Sequence, residues 1–222
     1  MPRKSRSGLV FRKLWPSERD KVRDHFLRLD PEDRHLRFFG QVSDDFIERY
    51  CHEVLAAGYV VLAGLADGEV RAVGELRTYG APGRRKAEIA ISIERPYQSR
   101  GVGTELFRRL INLARNRSIR TIHSACLVDN AKMQRIARKF GCAVEVERGQ
   151  AEARLEPPWP SYFTLMEEAV AEGRAVIHTL LLPPATRLPG RAARPDRAPG
   201  ADAKEAPAPP IPASEPTEDR KA

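Results

Sequence analysis

The chain has 222 residues, 41% of them hydrophobic and 31% charged, and carries a net charge of +8 at pH 7. That length and balance fit one folded domain with appendages, and no apolar run approaches the roughly 20 residues that span a bilayer. The charged start, Met1 to Arg6, leads into no apolar stretch, and the three cysteines (Cys51, Cys126, Cys142) and five histidines are scattered, so a cytoplasmic protein with no secretory leader, disulfide framework or metal site is expected.

Residues 1–7 read as an extension, and 8–14 as a first strand. Ser17 and Asp20 open a helix in the manner of a capping box, with Val22, Phe26 and Leu29 following at helical spacing. A second helix starts at Ser43; Phe46, Ile47, Tyr50, Cys51, Val54 and Leu55 form its apolar stripe and Gly58 its stop. Strands at 59–65 and 70–79 flank Asp67-Gly68, a strong hairpin signal, and Ala81-Pro82-Gly83 turns the chain into a strand at 87–93. A loop, 94–101, leads to a helix over 102–117 with Val102, Leu106, Leu110 and Leu113 on one face. A strand at 120–128 precedes Asp129-Asn130 and a helix to Lys139, striped by Met133, Ile136, Ala137 and Phe140. Alternation on either side of Gly149-Gln150 predicts a hairpin of 143–148 with 151–156.

Residues 158–183 read as a C-terminal addition, helical over 161–172, while the periodicity of 174–182 fits strand and helix equally. From Pro183 onward lie ten of the 18 prolines and only two large aliphatics, Leu188 and Ile211. Such a segment cannot bury enough apolar area to offset its ordering entropy, so 184–222 is expected to be a disordered tail. The tail holds seven Lys/Arg against six Asp/Glu, so the basic surplus sits in the folded part. The order of elements implies an α/β fold with a mixed, mostly antiparallel central sheet and helices on both faces.

The junction of strand 87–93 with helix 102–117 carries the chemistry. Gly101 and Gly103 sit where the helix begins, and the first N–H groups of a helix have no partner within it. With the helix dipole they form a site for phosphate oxygens, and Arg95, Arg100, Arg108 and Arg109 add positive charge nearby. Ordinary turn glycines at a helix start give the same pattern. Two common phosphate ligands are excluded by residue identity. A P-loop needs Gly-Lys-Ser/Thr where Gly103-Thr104-Glu105 stands, and a dinucleotide fingerprint needs a third glycine where Leu106 stands. The basic balance could also attract nucleic acid, but no zinc-finger spacing, RNA-recognition aromatic motif or helix-turn-helix pattern accompanies it.

Gln98-Ser99-Arg100-Gly101-Val102-Gly103 resembles the Gln/Arg-x-x-Gly-x-Gly/Ala motif of the GNAT superfamily of N-acetyltransferases. The strand before it, the amphipathic helix after it, and Asn130 with Lys139-Phe140-Gly141-Cys142 downstream are similar to that superfamily too, over residues 8–157. Ala87-Glu88-Ile89-Ala90-Ile91 and Asn130-Ala131-Lys132-Met133 also look like bacterial domains that modify protein lysines. The resemblance implies acetyl-CoA as cosubstrate and a primary amine, from a small molecule or a protein lysine, as acceptor. It implies that main-chain N–H groups from Arg100 to Thr104, in the loop begun by Gln98 and Ser99, hold the pyrophosphate. Ile91 and Ile93 would offer main-chain groups to the pantetheine arm and thioester, on a strand that splays from its neighbour. Asn130 would sit near the cofactor, and as a helix N-cap it has a second reading.

A lysine-like amine must lose a proton before it attacks, at a cost of about 4.6 kcal/mol at pH 7 for a pKa near 10.4. Glu88 is the candidate general base: alternation puts it on the face of Ala90 and Ser92, whose small side chains leave room for substrate. A solvated carboxylate paired with Arg84, Arg85 or Lys86 is the bland alternative, and Glu75 is the reserve candidate. Many GNAT enzymes place a proton-donating tyrosine seven residues beyond the asparagine; here that position is Ala137. The departing thiolate would take its proton from water, or from Ser124 or Cys126. The missing tyrosine also leaves open a non-catalytic acyl-CoA-binding sensor.

Overall fold

The computed structural model describes residues 8–170 apart from 56–58, 82–83 and 162. The extension 1–7, the Gly58 stop, the Pro82-Gly83 turn, the segment 174–182 and the tail 184–222 lie outside the described residues. Seven strands form one sheet in the order β1-β2-β3-β4-β5-β7-β6. They are β1 (Val10–Lys13), β2 (Tyr59–Ala66), β3 (Glu69–Tyr79), β4 (Lys86–Ile93), β5 (Thr121–Leu127), β6 (Ala143–Glu147) and β7 (Gln150–Leu155). All neighbours are antiparallel except β4 and β5. The helices are α1 (Arg19–Arg28), α2 (Pro31–Phe38), α3 (Asp44–Glu53), α4 (Val102–Asn116) and α5 (Ala131–Lys139), and residues 163–170 are also helical.

Each sheet face carries its own core. On one, Leu62, Leu76 and Ile89 pack against Leu106, Phe107 and Leu110 of α4 and Ala137 of α5. On the other, Val61, Ala63 and Val73 pack against Val22 and Phe26 of α1, Phe38 of α2 and Ile47 of α3. The mixed sheet with helices on both faces is therefore as expected from the element order. The first hairpin turns at Asp67 and Gly68 as expected, with φ of 51° and 82°. The second turns one residue earlier than Gly149-Gln150, at Arg148 and Gly149 with φ of 49° and 81°, and Gln150 already belongs to β7; both pairs have the positive φ that a primed turn requires.

Helix α2 is an element the periodicity did not reveal. It spans Pro31–Phe38, with Asp30 as N-cap accepting a hydrogen bond from Asp33 N–H at 2.9 Å and Pro31 at the first turn. Asp-Pro followed by two acids is a helix-start signal, but eight residues are too few to show a helical period. Ser17 does not cap α1; it lies in a 3₁₀ turn, Pro16–Glu18, and Glu18 precedes the helix while pairing with Arg12 at 2.6 Å.

The pairing of β4 with β5 covers only Lys86, Ala87 and Glu88 against Thr121, Ile122 and His123. Beyond Glu88 the two strands part. The split is held at its base by the Ser124 hydroxyl, which donates to the Ile89 carbonyl at 2.9 Å. It is held open at its far end by α4 and α5, which meet through Gly103. A Cβ on Gly103 would stand 2.8 Å from Ile136 Cδ1 and 3.2 Å from Ile93 Cδ1. The glycine is needed for helix packing as well as for any approach by a ligand. Replacing Gly103 with Leu should therefore destabilise the chain by about 1–3 kcal/mol through overpacking. Adding Ile136→Ala should restore part of that loss, a coupling that urea titration of the two single variants and the double variant measures.

Candidate active site

Two cavities meet at the split. The first, about 980 Å³ of empty space open to solvent, is lined by Ile91, Ser92 and Ile93 of β4, by Gln98, Ser99, Gly101, Gly103 and Thr104 of the loop and α4, and by Asn130 of α5. The second, about 740 Å³, is lined by Tyr59, Glu75, Arg77, Glu88 and Ala90 of the sheet and by Phe39 and Tyr50 from the helices above it. Leu36, Arg37, Ile91, Asn130 and Met133 border both. Eight of the ten expected cofactor residues thus come together. Val102 instead is 1% exposed in the α4 core, and Arg100 is exposed outside the cavity lining, leaving each a main-chain role only.

The first cavity is built for an anion. Gly101 is the N-cap of α4 with φ of 81°, a backbone conformation that glycine adopts without strain. The first intrahelical bond runs from Glu105 N–H to Gly101 carbonyl at 3.0 Å, so the N–H groups of Val102, Gly103 and Thr104 have no partner within the helix. The N-terminus of α5 faces the same space, capped by Asn130 Oδ1, which accepts from Met133 N–H at 3.0 Å. Asn130 is therefore a helix cap and a cavity residue at once. Two helix N-termini converge on one volume, which favours negative charge there.

The arginines expected to add positive charge are differently employed. Arg95 pairs with Asp30 at 2.7 Å and Glu32 at 2.8 Å, Arg108 and Arg109 pair with Glu105 at 2.9 and 2.7 Å, and Arg108 also reaches Glu167. The unneutralised cations of the cavity are Lys132 and Arg135, one turn apart on α5. Lys132 donates to Gln98 Oε1 at 2.7 Å, and neither cation has a carboxylate partner among the described residues. Their spacing of three on one helix face, next to the glycine loop, is the signal that the sequence reading passed over. Gln98 itself is a strut: its amide donates to Asp33 at 2.8 Å and to the Ile93 carbonyl at 2.9 Å, tying α2, β4 and α5 together.

The main-chain groups of β4 can be sorted by alternation. Glu94 N–H donates to Arg71 carbonyl on β3 at 3.0 Å, so Ser92 and Ala90 also turn theirs toward β3, and Ile89, Ile91 and Ile93 turn theirs into the split. The Ile89 carbonyl is taken by Ser124 and the Ile93 carbonyl by Gln98. Ile91 remains as the residue with both N–H and carbonyl facing the space where the cavities join.

In the second cavity two glutamates have opposite circumstances. Glu75 is 3% exposed and spent: Arg37 donates to one oxygen at 2.7 Å and the Tyr50 hydroxyl to the other at 2.5 Å. Glu88 is half-buried, and among the described residues no hydrogen bond or ion pair engages its carboxylate; Arg84, Arg85 and Lys86 are not its partners. Burial raises its pKa above the usual carboxylate value, Glu75 pushes it the same way, and Arg37, Arg77 and His123 pull it back. A carboxylate that is free, half-buried and raised in pKa is suited to accept a proton.

None of the three positions considered for an acid stands ready as one. Ala137 is 1% exposed and lines neither cavity. The Ser124 hydroxyl already donates its hydrogen bond to the Ile89 carbonyl. Cys126 lines the second cavity, but burial raises its pKa, so it holds its proton more tightly than an ordinary thiol. Among the described residues no three His, Cys, Asp or Glu side chains cluster as a metal site would require, and no helix is long and apolar enough to cross a membrane.

The profile of the acetyltransferase (GNAT) domain matches residues 9–143. The chain belongs to the GNAT acetyltransferase family. Members of this family transfer an acetyl group from acetyl-CoA, and the chain is an N-acetyltransferase. Among curated proteins, acetyltransferase PA5475 of Pseudomonas aeruginosa is 31% identical over 143 residues, covering 61% of this chain and 73% of that protein. Among solved structures, the GNAT domain of S. lividans PAT superposes with a TM-score of 0.58 at 23% identity, covering 67% of this chain and 90% of that one. A putative acetyltransferase from Salmonella typhimurium, yncA, solved with its cofactor acetyl-CoA, superposes with a TM-score of 0.52 at 16% identity, covering 69% of this chain and 96% of that one. At these identities the two structures establish a shared fold.

Around the GNAT cleft the ionisable groups make stability depend on pH in two directions. Glu94 is held down to about 2 by its hydrogen bonds from His25 and Arg71, outweighing burial, and His25 is lowered by complete burial. Both contribute stability that is lost as pH falls, His25 from about 6.5 and Glu94 from about 4.5 toward 2. Glu88 has the opposite sign. Its folded-state pKa is raised, so its contribution is present below the unfolded value and is lost as pH rises through the folded one. Glu88→Gln should therefore melt at or above the parent temperature at pH 7–8, and the difference should vanish near pH 4. Thermal melts across that range read the outcome; a lower melting temperature for the variant at pH 8 would contradict the uncompensated carboxylate.

Proposed function

We propose that the chain binds acetyl-CoA in the first cavity and acetylates a primary amine presented in the second, by direct attack with Glu88 as general base. The observation that carries this reading is the parting of β4 from β5 after Glu88, which joins the two cavities at Ile91. The N–H groups from Arg100 to Thr104 hold the pyrophosphate at the start of α4, with Gln98, Ser99 and Asn130 around it. Lys132 and Arg135 supply the cationic charge for the cofactor's phosphates. The pantetheine arm runs along Ile91 and Ile93 into the split, and the family's shared fold with the acetyl-CoA-bound Salmonella protein supports that direction. The reading is of a cytoplasmic enzyme.

The incoming amine gives a proton to Glu88, directly or through one water, and its nitrogen forms a bond to the thioester carbon. The Ile91 N–H donates to the developing oxyanion. Collapse breaks the carbon–sulfur bond, the nitrogen loses its second proton to water, the thiolate takes a proton from water, and Glu88 passes its own to solvent, so that one proton is released per acetyl group transferred. No protein acid is required, because a thiol of pKa near 8.5 leaves tolerably as its anion. The alternative of a non-catalytic acyl-CoA sensor rests on Ala137 alone, and the same leaving-group chemistry removes the need for it.

Glu88→Gln should lower kcat about 10²–10⁴-fold at pH 7 and less above pH 8, where more of the amine is already neutral, with acetyl-CoA affinity unchanged. With one essential base and no essential acid, the parent kcat/KM should climb with pH without a descending limb up to pH 9. Coenzyme A release measured against an amine panel at pH 6–9 tests both; an unchanged profile for the variant removes Glu88 from the mechanism. Replacing Lys132 and Arg135 together with Ala should weaken acetyl-CoA binding about tenfold or more in calorimetry, whereas Arg108→Ala, its charge already paired, should leave the affinity within twofold.

A further inference from the structure

The second cavity carries a charge pattern that selects among amines, and its reading rests on the proposal that Glu88 faces the acceptor. Four charged side chains line it: Arg37, Glu75, Arg77 and Glu88. Arg37 and Glu75 cancel as a buried pair at 2.7 Å. Arg77 and Glu88 stand directly opposite one another on β3 and β4, so their side chains share a face. Yet they do not pair. Arg77 leans over the Tyr59 ring at 5.6 Å from its centroid and has no carboxylate partner among the described residues. One unpaired cation and one unpaired anion therefore face the same volume. His123, across from Glu88 on β5, is occupied with Glu152 at 2.6 Å.

An isolated ammonium reaching Glu88 would enter beside the Arg77 guanidinium, and like charges that close repel. A ligand with an ammonium and a carboxylate on neighbouring atoms meets both charges at once: the carboxylate can take the fork of Arg77 while the amine is offered to Glu88. Beside these charges the wall is mainly apolar and aromatic, from Leu36, Phe39, Tyr50, Tyr59, Ile91 and Met133, with Ser124, Cys126 and Asn130 as its uncharged polar members. Phe39 closes α2 with a φ of 61°, a strained conformation for a bulky residue, retained where its ring borders this cavity. We propose that the acceptor is a free α-amino acid with an apolar or aromatic side chain, and that Arg77 determines that specificity by holding its carboxylate.

The test uses the full chain with acetyl-CoA and matched probes. These are L-methionine and L-phenylalanine, the carboxamides of both, and a lysine-containing peptide with blocked ends. The free acids should be acetylated with kcat/KM at least tenfold above the carboxamides and the peptide. Arg77→Gln should reduce that acid-to-amide ratio to near one by raising KM for the acids, and Arg77→Lys, which keeps the charge without the fork, should restore it in part. Glu88→Gln should lower kcat for acids and amides alike and leave the ratio in place. Equal use of acids and carboxamides, preference for the peptide, or an unchanged ratio in Arg77→Gln would overturn the Arg77 assignment while leaving the transferase site standing. Acetyl-CoA binding with no transfer to any probe would overturn the amino-acid acceptor, and transfer elsewhere in a wider amine panel would show that the site reading survives it. Absence of acetyl-CoA binding would overturn both.

Discussion

Strands β4 and β5 share a ladder for three residues and then separate, and a sheet that opens in this way must find partners for the main-chain groups it exposes. The solution is unequal along β4. Ser124 satisfies Ile89 at the base and Gln98 satisfies Ile93 at the rim, each with a side-chain donor to a carbonyl. Between them Ile91 keeps its polar groups facing the space. A donor and acceptor left over between two satisfied neighbours and facing open space are available to a ligand, which is the condition for binding an extended arm with amide groups of its own. The separation is kept open because α4 and α5 fill its far side, and they can approach closely only where Gly103 lacks a side chain.

The same economy governs the charges. The chain carries +8 overall, yet most arginines near the cleft are tied to carboxylates on their own or adjacent elements. Arg95 anchors the start of α2, and Arg108 and Arg109 fold back on Glu105. The groups left unpaired fall in the two cavities: Lys132 and Arg135 beside two helix N-termini in the first, and Arg77 and Glu88 in the second, the proposed acceptor end. Arg37 separates these halves. It is buried between Phe38 and Tyr50, 4.9 and 5.4 Å from their rings, and neutralises Glu75. Without that pairing two carboxylates would compete for one proton, and neither would be a well-defined base.

Much of this was legible in the sequence, for identifiable reasons. The glycine loop is local: Gly101 and Gly103 announce a backbone conformation, and the strand and helix around them announce themselves by period. Glu88 could be placed on its face by counting from Ile89. What was not legible depends on contacts between distant elements. Nothing local distinguishes Glu75, spent on Arg37 and Tyr50, from Glu88, which is unpaired, because the partners come from α2 and α3. Charge near the loop in sequence proved a poor guide to charge in the cleft, since Arg95 is taken by Asp30 and Glu32, which only the fold brings near, and Arg108 by Glu105 one turn back on its own helix and by the distant Glu167. Gly103 was read as room for a ligand, and the structure adds the packing of Ile136. Helix α2 was missed for its shortness, and with it the wall formed by Asp33, Leu36 and Arg37.

The buried network behind the cleft fixes the strand that the chemistry depends on. Ser92 and Glu94 flank Ile93 on β4, and both are bound from the opposite face by His25 of α1, at 2.9 and 3.2 Å, with Arg28 and Arg71 each 3.0 Å from the Glu94 carboxylate. Main-chain bonds to β3 hold one edge of β4, but beyond Glu88 the other edge has no strand beside it and only the single side-chain bonds to Ile89 and Ile93, so an unsupported strand there would be free to twist. Side-chain bonds from α1 restrain it from outside the sheet. Because His25 is wholly buried and its proton costs desolvation, the neutral imidazole bridges serine and glutamate without adding a charge behind the acetyl group. The position of Ile91 in the split is thus set by side-chain contacts from outside the sheet, and in the proposed mechanism these contacts hold the strand that would present a thioester carbonyl to Glu88.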